Sequence, residues 1–326
     1  MTFSLFGCGK EEVVPYEDIP PSRSELDSQS DFKDWAFEKA VRKGLGIGEE
    51  EEIDFLLLTF VTELDLSYTG DPIDDYYKIT KLSGLEFFPN LETLIVDGNK
   101  LIDLSGVENC PKLKILSARN CNLFTITQIE NHTSLEKVDL YKNRLSSISV
   151  VKKLTSLTYL DISYNSDITD FSVLSNENIP DLKALYLAGM EMGSLFDFSV
   201  ITSLEALGLN GNTITDLSLL SSLANLKELN IGNNSVSDLS ALSEMTQLTK
   251  LNASNNVIEE FSLDKLSLLE ELNLKSNRII DVTVIGSLSN IKKLYLDNNQ
   301  IINFEPLYAN EYEEITATGN GAVYNN

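Results

Sequence analysis

The chain is poor in reactive side chains. One histidine, three cysteines and one tryptophan occur in 326 residues, which leaves little material for a metal centre or a nucleophile–base pair. No glycine-rich phosphate loop is present. No run of about 18 or more apolar residues occurs, so nothing reads as a membrane-spanning helix. Basic residues are also few, with 25 Lys and Arg against 50 Asp and Glu and a net charge of −25. That balance works against nucleic acid or an anionic membrane surface as a docking partner, and favours solubility and attraction for basic protein surfaces. No enzyme, cofactor or metal ion is expected.

What is abundant is leucine at a fixed interval. The clearest copy, Leu204 to Leu223, reads LEALGLNGNTITDLSLLSSL. Leu207 and Leu209 are two apart and face one side of a short strand, while Ala206, Gly208 and Asn210 face the other. The chain must then turn sharply, leaving buried backbone groups to be satisfied. Asn212 suits that task because its amide carries both donors and an acceptor. The same register starts at Leu91, Leu113, Leu135, Leu157, Leu182, Leu204, Leu226, Leu248, Leu269, Ile291 and Tyr312, with spacings of 22, 22, 22, 25, 22, 22, 22, 21, 22 and 21 residues. Eleven coils follow, and a degenerate twelfth precedes them at Val61 to Leu66, VTELDL. This is a leucine-rich repeat pattern. It predicts an α/β solenoid, a curved parallel β-sheet horseshoe in which each coil buries its leucines only against its neighbours.

Ahead of the repeats, Ser4 to Cys8 reads SLFGC, which resembles the lipobox of bacterial lipoproteins and makes Cys8 the candidate lipidation site. Only Met1 to Gly7 precede it, shorter than a complete signal, so a lipidated chain implies a longer precursor. Gly9 to Ser30 is acidic, polar and proline-bearing, and residues 1–30 are expected to be an unordered tether. Residues 31–60 read as a helical cap: Phe32, Trp35, Ala36, Ala40 and Val41 fall near helical spacing, Asp31 or Asp34 suits the start, and Gly44 and Gly46 suit the end. Such a cap covers leucines that the first coil would otherwise expose. Glu49 to Glu52 is a solvated loop, since alternating oxygen ligands with a glycine are absent. Residues 61–326 form the solenoid.

The order of an FxDxxFExAVRxxLGI-like helix, an acidic loop, VTELDLS, KITKLSGLEFFPNLETL and 22-residue coils resembles the internalin family and its bacterial relatives over Asp31 to Asn326. The resemblance implies a surface receptor with a helical cap and a narrow convex side, many of whose relatives bind a protein on the concave face. It also implies an extracellular place. No immunoglobulin-like region follows the repeats and no C-terminal sorting motif appears, so the expected attachment is a lipid at Cys8 rather than the cell wall.

Irregular positions carry their own expectations. Gly70 to Tyr77 exceeds one coil and loops out, with Tyr76 and Tyr77 serving either contact or packing on the cap. Cys121 and Met190 occupy the asparagine slot of their coils. Cys110 lies on the opposite side from Cys121, too far for a disulfide. The coil from Leu157 is 25 residues long, with additions after Asn165 and near Asn176 to Asn178 that predict a bulge. His132 sits on a convex-side turn without a catalytic partner.

The open face is the candidate site. Tyr141, Tyr159 and Tyr186 come from consecutive coils and are expected to form one aromatic cluster, with Arg119 one coil before it. Tyrosine offers large contact area at small entropic cost. Beyond the cluster the floor is small and amide-rich through Gly208, Asn210, Asn230 and Asn252, and Tyr295 lies further along. Asn230, Asn252 and Asn273 share a column and are expected to bond as a ladder. The leading reading is a monomeric, non-enzymatic surface protein that binds a protein ligand. Glycan recognition and an intracellular, cytoplasmic scaffold holding a partner enzyme are the alternatives.

Overall fold

The computed structural model describes residues 22–321 apart from Pro72 and Asp74. Cys8 and most of the expected tether lie outside the described residues. The tether does not stay unordered as far as Ser30, because Arg23–Gln29 forms a helix, α1. The Glu25 N–H donates to the Ser22 hydroxyl at 3.4 Å, and the Ser22 N–H donates to the Glu25 carboxylate at 2.8 Å. This reciprocal box nucleates a helix in a segment too polar to show an apolar period. The Trp35 N–H donates to Asp27 at 2.8 Å and anchors α1 to the next element.

Helix α2 (Trp35–Leu45) starts at Asp34, whose Oδ1 accepts the Phe37 N–H at 2.9 Å. It ends at Gly46, which takes the left-handed conformation with φ 71°. Gly44 lies inside the helix. The other Asp34 oxygen accepts the Thr80 N–H, the Thr80 hydroxyl and the Lys81 N–H at 2.9, 2.8 and 3.0 Å. One buried carboxylate therefore caps the helix and ties it to the first coil. The short helix α3 (Phe55–Leu58) brings the Phe55 ring to 5.9 Å from Phe32 and 4.5 Å from Phe87. The rings of Tyr76 and Tyr77 lie 5.5 and 5.6 Å from Trp35. They pack on the cap.

Twelve three-residue strands follow: β1 (Glu63–Asp65), β2 (Thr93–Ile95), β3 (Ile115–Ser117), β4 (Lys137–Asp139), β5 (Tyr159–Asp161), β6 (Ala184–Tyr186), β7 (Ala206–Gly208), β8 (Glu228–Asn230), β9 (Lys250–Asn252), β10 (Glu271–Asn273), β11 (Lys293–Tyr295) and β12 (Glu314–Thr316). They make one parallel sheet in chain order. The middle residue of each strand from β1 to β11 is buried. Short 3-10 turns such as Val107–Asn109 and Ser218–Leu220 return the chain on the far side, which keeps the convex side narrow.

The asparagine slot performs its expected task. Asn212 Nδ2 donates to the carbonyls of Leu187 and Leu209 at 2.9 and 2.8 Å, and its Oδ1 accepts the N–H groups of Met190 and Met192 at 2.9 and 3.1 Å. One amide thus stitches its own turn to the turn of the preceding coil. Asn143, Asn256 and Asn299 donate in the same pattern. Cys121 substitutes weakly, its thiol donating to the Val96 carbonyl at 3.2 Å. At Met190 the stitch is weaker still, with the Asn165 N–H facing the thioether at 3.4 Å. The long coil bulges where expected, and Asn176 anchors the bulge to the next coil by donating its N–H to the Val200 carbonyl at 2.7 Å.

Cys110 and Cys121 are free, buried thiols, and burial pushes both up to about 12. His132 is also buried, with Nε2 at 3.0 Å from the Val107 carbonyl.

Candidate ligand-binding face

Strand register sorts the outward residues into columns. Lys137, Tyr159, Ala184, Ala206, Glu228 and Lys250 share the first, and Asp139, Asp161, Tyr186, Gly208, Asn230 and Asn252 share the second. Arg119, Tyr141 and Asn210 belong to a third, just past the strands. The three predicted tyrosines therefore come from three different columns. Tyr141 and Tyr159 sit four residues apart in register, about 13 Å along the strand direction, and the expected single cluster divides into two pairs.

In the first pair, Tyr159 and Tyr186 have ring centroids 5.3 Å apart at 42°. Lys137 places its ammonium 4.6 Å from the Tyr159 centroid. Tyr186 leans over Gly208 so closely that a Cβ there would lie 2.6 Å from its Cδ1. Gly208 is thus the bed of the tyrosine. In the second pair, Tyr141 meets Tyr164 edge-on, with centroids 5.1 Å apart at 66°. The Arg119 guanidinium covers Tyr141 at 4.7 Å and reaches Asp139 at 3.5 Å. Tyr164 is 44% exposed and holds a φ of 57°, a conformation costly for a bulky residue. Its ring rests on Gly189, where a Cβ would lie 2.5 Å from Cε1. Outward strand positions pass over Tyr164, but the sequence carries a signal for it: its turn slot holds Gly or Asn in most coils, as at Gly98, Asn120, Gly189, Gly211 and Asn233, and a tyrosine there stands out.

Beyond Tyr186 the floor drops into a depression of about 230 Å³, lined among others by Ala206, Glu228, Asn230, Lys250 and Asn252. Asn230 and Asn252 are where the pattern places them, but the ladder does not form. Their Oδ1 atoms accept the N–H groups of Gly232 and Ser254, each at 3.1 Å, and Asn273 accepts that of Lys275 at 3.1 Å. A local turn partner wins over the neighbouring side chain. Asn210 is half-buried in the third column. Tyr295 belongs to the second column, five strands beyond Tyr186, and takes no part in either pair. Its hydroxyl donates to Glu314 at 2.8 Å, a bond that raises the phenol to about 12.

The electrostatics are uneven along the face. Asp139 and Asp161 are register partners on β4 and β5, and only 5% and 8% exposed. Burial first, and the Asp161 charge second, raise the Asp139 carboxyl to about 6. Burial likewise pushes the Tyr159 phenol up, helped by both aspartates. Asp297, near the far end, shows the opposite balance. Burial pushes its carboxyl up, but Lys275, Thr316 and Thr318 donate to it and hold it well below the usual range. Glu228 and Lys250 pair at 2.7 Å on the rim of the depression. Among the described residues no cluster of three or more His, Cys, Asp or Glu suits a metal ion, and no helix is long and apolar enough to cross a membrane.

The family described as Leucine Rich repeats (2 copies) matches residues 133–176 and 202–244. No curated protein sequence matches the chain. Among solved structures, the internalin InlF of Listeria monocytogenes is 26% identical, with 87% of this chain and 95% of that one covered at a TM-score of 0.56. A leucine-rich repeat protein of Leptospira interrogans is 24% identical over 80% of this chain and 73% of its own, at a TM-score of 0.70. The ectodomain of the Arabidopsis receptor kinase HAESA, solved in complex with an N-terminal extended IDA peptide hormone ligand, is 25% identical over 72% of this chain and 43% of its own, at a TM-score of 0.59. Repeat spacing, the twelve-strand parallel sheet, the capping helices and these likenesses converge: the chain is a leucine-rich repeat solenoid with a helical cap, similar to the internalins.

Proposed function

We propose that this protein is a non-enzymatic binding protein that holds a protein ligand on its concave face, centred on Tyr159 and Tyr186. The observation that carries the reading is the pair itself: two half-buried rings 5.3 Å apart beside an open depression. Rigid tyrosines in contact bury large area with few rotatable bonds, and such residues dominate binding energy at interfaces. Arg119, Tyr141 and Tyr164 extend the surface on one side, and Asn210, Asn230 and Asn252 on the other. The reading includes a place outside a bacterial cell, anchored by a lipid at Cys8, and mass spectrometry of membrane-extracted protein tests the anchor directly.

The test of the face uses the purified full chain as bait for host-cell and bacterial-surface proteins, beside the Tyr159→Ala, Tyr186→Ala double variant. A protein retained by wild type and lost by the variant, at a cost of about 2 kcal/mol or more in affinity, supports the reading. Equal retention by both moves the site off this face. Release by free polysaccharide points to a glycan instead.

A further inference from the structure

The second outward column repeats one backbone device with two chemistries. The Tyr141 N–H donates to Asp139 Oδ1 at 3.2 Å, and the Ser163 N–H to Asp161 Oδ1 at 2.9 Å. Further along, Asn230, Asn252 and Asn273 accept the N–H two residues ahead in the same way, each at 3.1 Å. That turn needs one side-chain oxygen. Aspartate and asparagine supply it equally, so the fold leaves the second terminal atom undecided. On β4 and β5 this atom is a carboxylate oxygen. On β8, β9 and β10 it is an amide nitrogen.

Apart from Asp139 Oδ2, which Arg119 reaches at 3.5 Å, these second atoms are uncommitted among the described residues. Asp161 is 8% exposed, yet among the described residues its Oδ2 accepts no hydrogen bond and no cationic nitrogen reaches ion-pair distance. Its neighbour Asp139 has only Arg119, at 3.5 Å. Lys137 lies on the Tyr159 ring rather than on either carboxylate. The same face neutralises a buried carboxylate fully elsewhere: Asp297 has Lys275 at 2.8 Å and the hydroxyls of Thr316 and Thr318. Asp161 has no such partners within the protein, so its outer oxygen is left to the open side of the face, where a cationic group can pair with it. In the amide row the oxygens are taken, and among the described residues the Nδ2 groups donate to no protein acceptor, so they remain as donors alone. Register sets Asn230, Asn252 and Asn273 side by side on adjacent strands. Tyr186 and Gly208 separate the acidic half of the column from the amide half.

We propose that the ligand is an extended polypeptide segment lying across the strands, with a lysine or arginine side chain paired to Asp161 beside Tyr159 and Tyr186. Its main-chain carbonyls accept hydrogen bonds from Nδ2 of Asn230 and Asn252. This rests on the concave-face reading above. From β5 to β8 is three strand spacings, about 14 Å, which about four extended residues span. A net charge of −25 favours approach by a basic partner.

The test pans the full chain against a random peptide library displayed on phage, with the Asp161→Asn, Asn252→Asp and Tyr159→Ala, Tyr186→Ala proteins in parallel. Both single changes keep the oxygen that closes the turn, and thermal unfolding confirms that each variant remains folded. Expected are peptides enriched in Lys or Arg at one position. Synthetic copies should lose about tenfold or more in Kd on Asp161→Asn and again on Asn252→Asp. Peptides without basic enrichment, or with equal Kd on Asp161→Asn, overturn the proposal, and if the double tyrosine variant still abolishes their binding the concave-face reading survives. Peptides that bind the double variant as tightly as wild type overturn both. A library that yields no binder overturns the polypeptide assignment.

Discussion

At the scale of single residues, the asparagine slot and the aspartate pair make opposite predictions. Asn212→Ala removes four hydrogen bonds from buried turns, and leaving those backbone groups unpaired should cost about 1–3 kcal/mol, measured by denaturant unfolding. Asp139 runs the other way. Its folded carboxyl, near 6, lies above its ordinary value of 3.8, so the unfolded chain releases the proton first. Ionisation therefore destabilises the fold: the cost is absent below pH 3.8, grows between 3.8 and about 6, and is complete above. Asp139→Asn should raise the melting temperature more at pH 7 than at pH 4, and an equal change at both would contradict the account. The role of Asn212 was legible because its coil offset and its amide chemistry specify one job. The state of Asp139 was not, since it depends on Asp161 lying opposite and on how far the neighbouring side chains exclude water.

At the scale of elements, the coils were legible and their side-chain groupings were not. Period fixes which residues face outward, yet ring contacts depend on columns, and Tyr141, Tyr159 and Tyr186 occupy three. Tyr164 lies past the strand, in the turn slot that takes positive φ in coil after coil, as at Asn120, Lys142, Gly189 and Gly211, so counting only outward strand positions passes over it although the repeat register places it against Gly189. Helix α1 escaped for another reason: its order comes from a capping box and one bond to Trp35 rather than from apolar burial. The cap and the first coil meet at Asp34. Asp34→Ala strips the cap from α2 and orphans the N–H groups of Thr80 and Lys81. The loss should be about 2–3 kcal/mol, with hydrogen exchange rising first in α2 and residues 79–82.

For the whole molecule, charge is the dominant global term. Exposed ion pairs such as Lys227–Glu205 and Lys292–Glu270 flank the starts of the strands, but solvent screens such exposed pairs and each contributes little. A net charge of −25 repels itself across every coil. Raising the salt concentration should therefore increase the melting temperature, and a decrease would mean that the ion pairs outweigh the repulsion. The solenoid is also not equally firm along its length. Every stitch reaches back to the coil before it, and the one between the coils of β5 and β6 is a thioether, Met190, at 3.4 Å from the Asn165 N–H. Tyr159 and Tyr186 stand on the two sides of that joint. Ser163 Oγ, accepting the Ala188 N–H at 3.0 Å, supplies a second tie across that joint, and a ligand resting on both tyrosines would add a third, acting as a splint over the place where the side-chain stitching is thinnest.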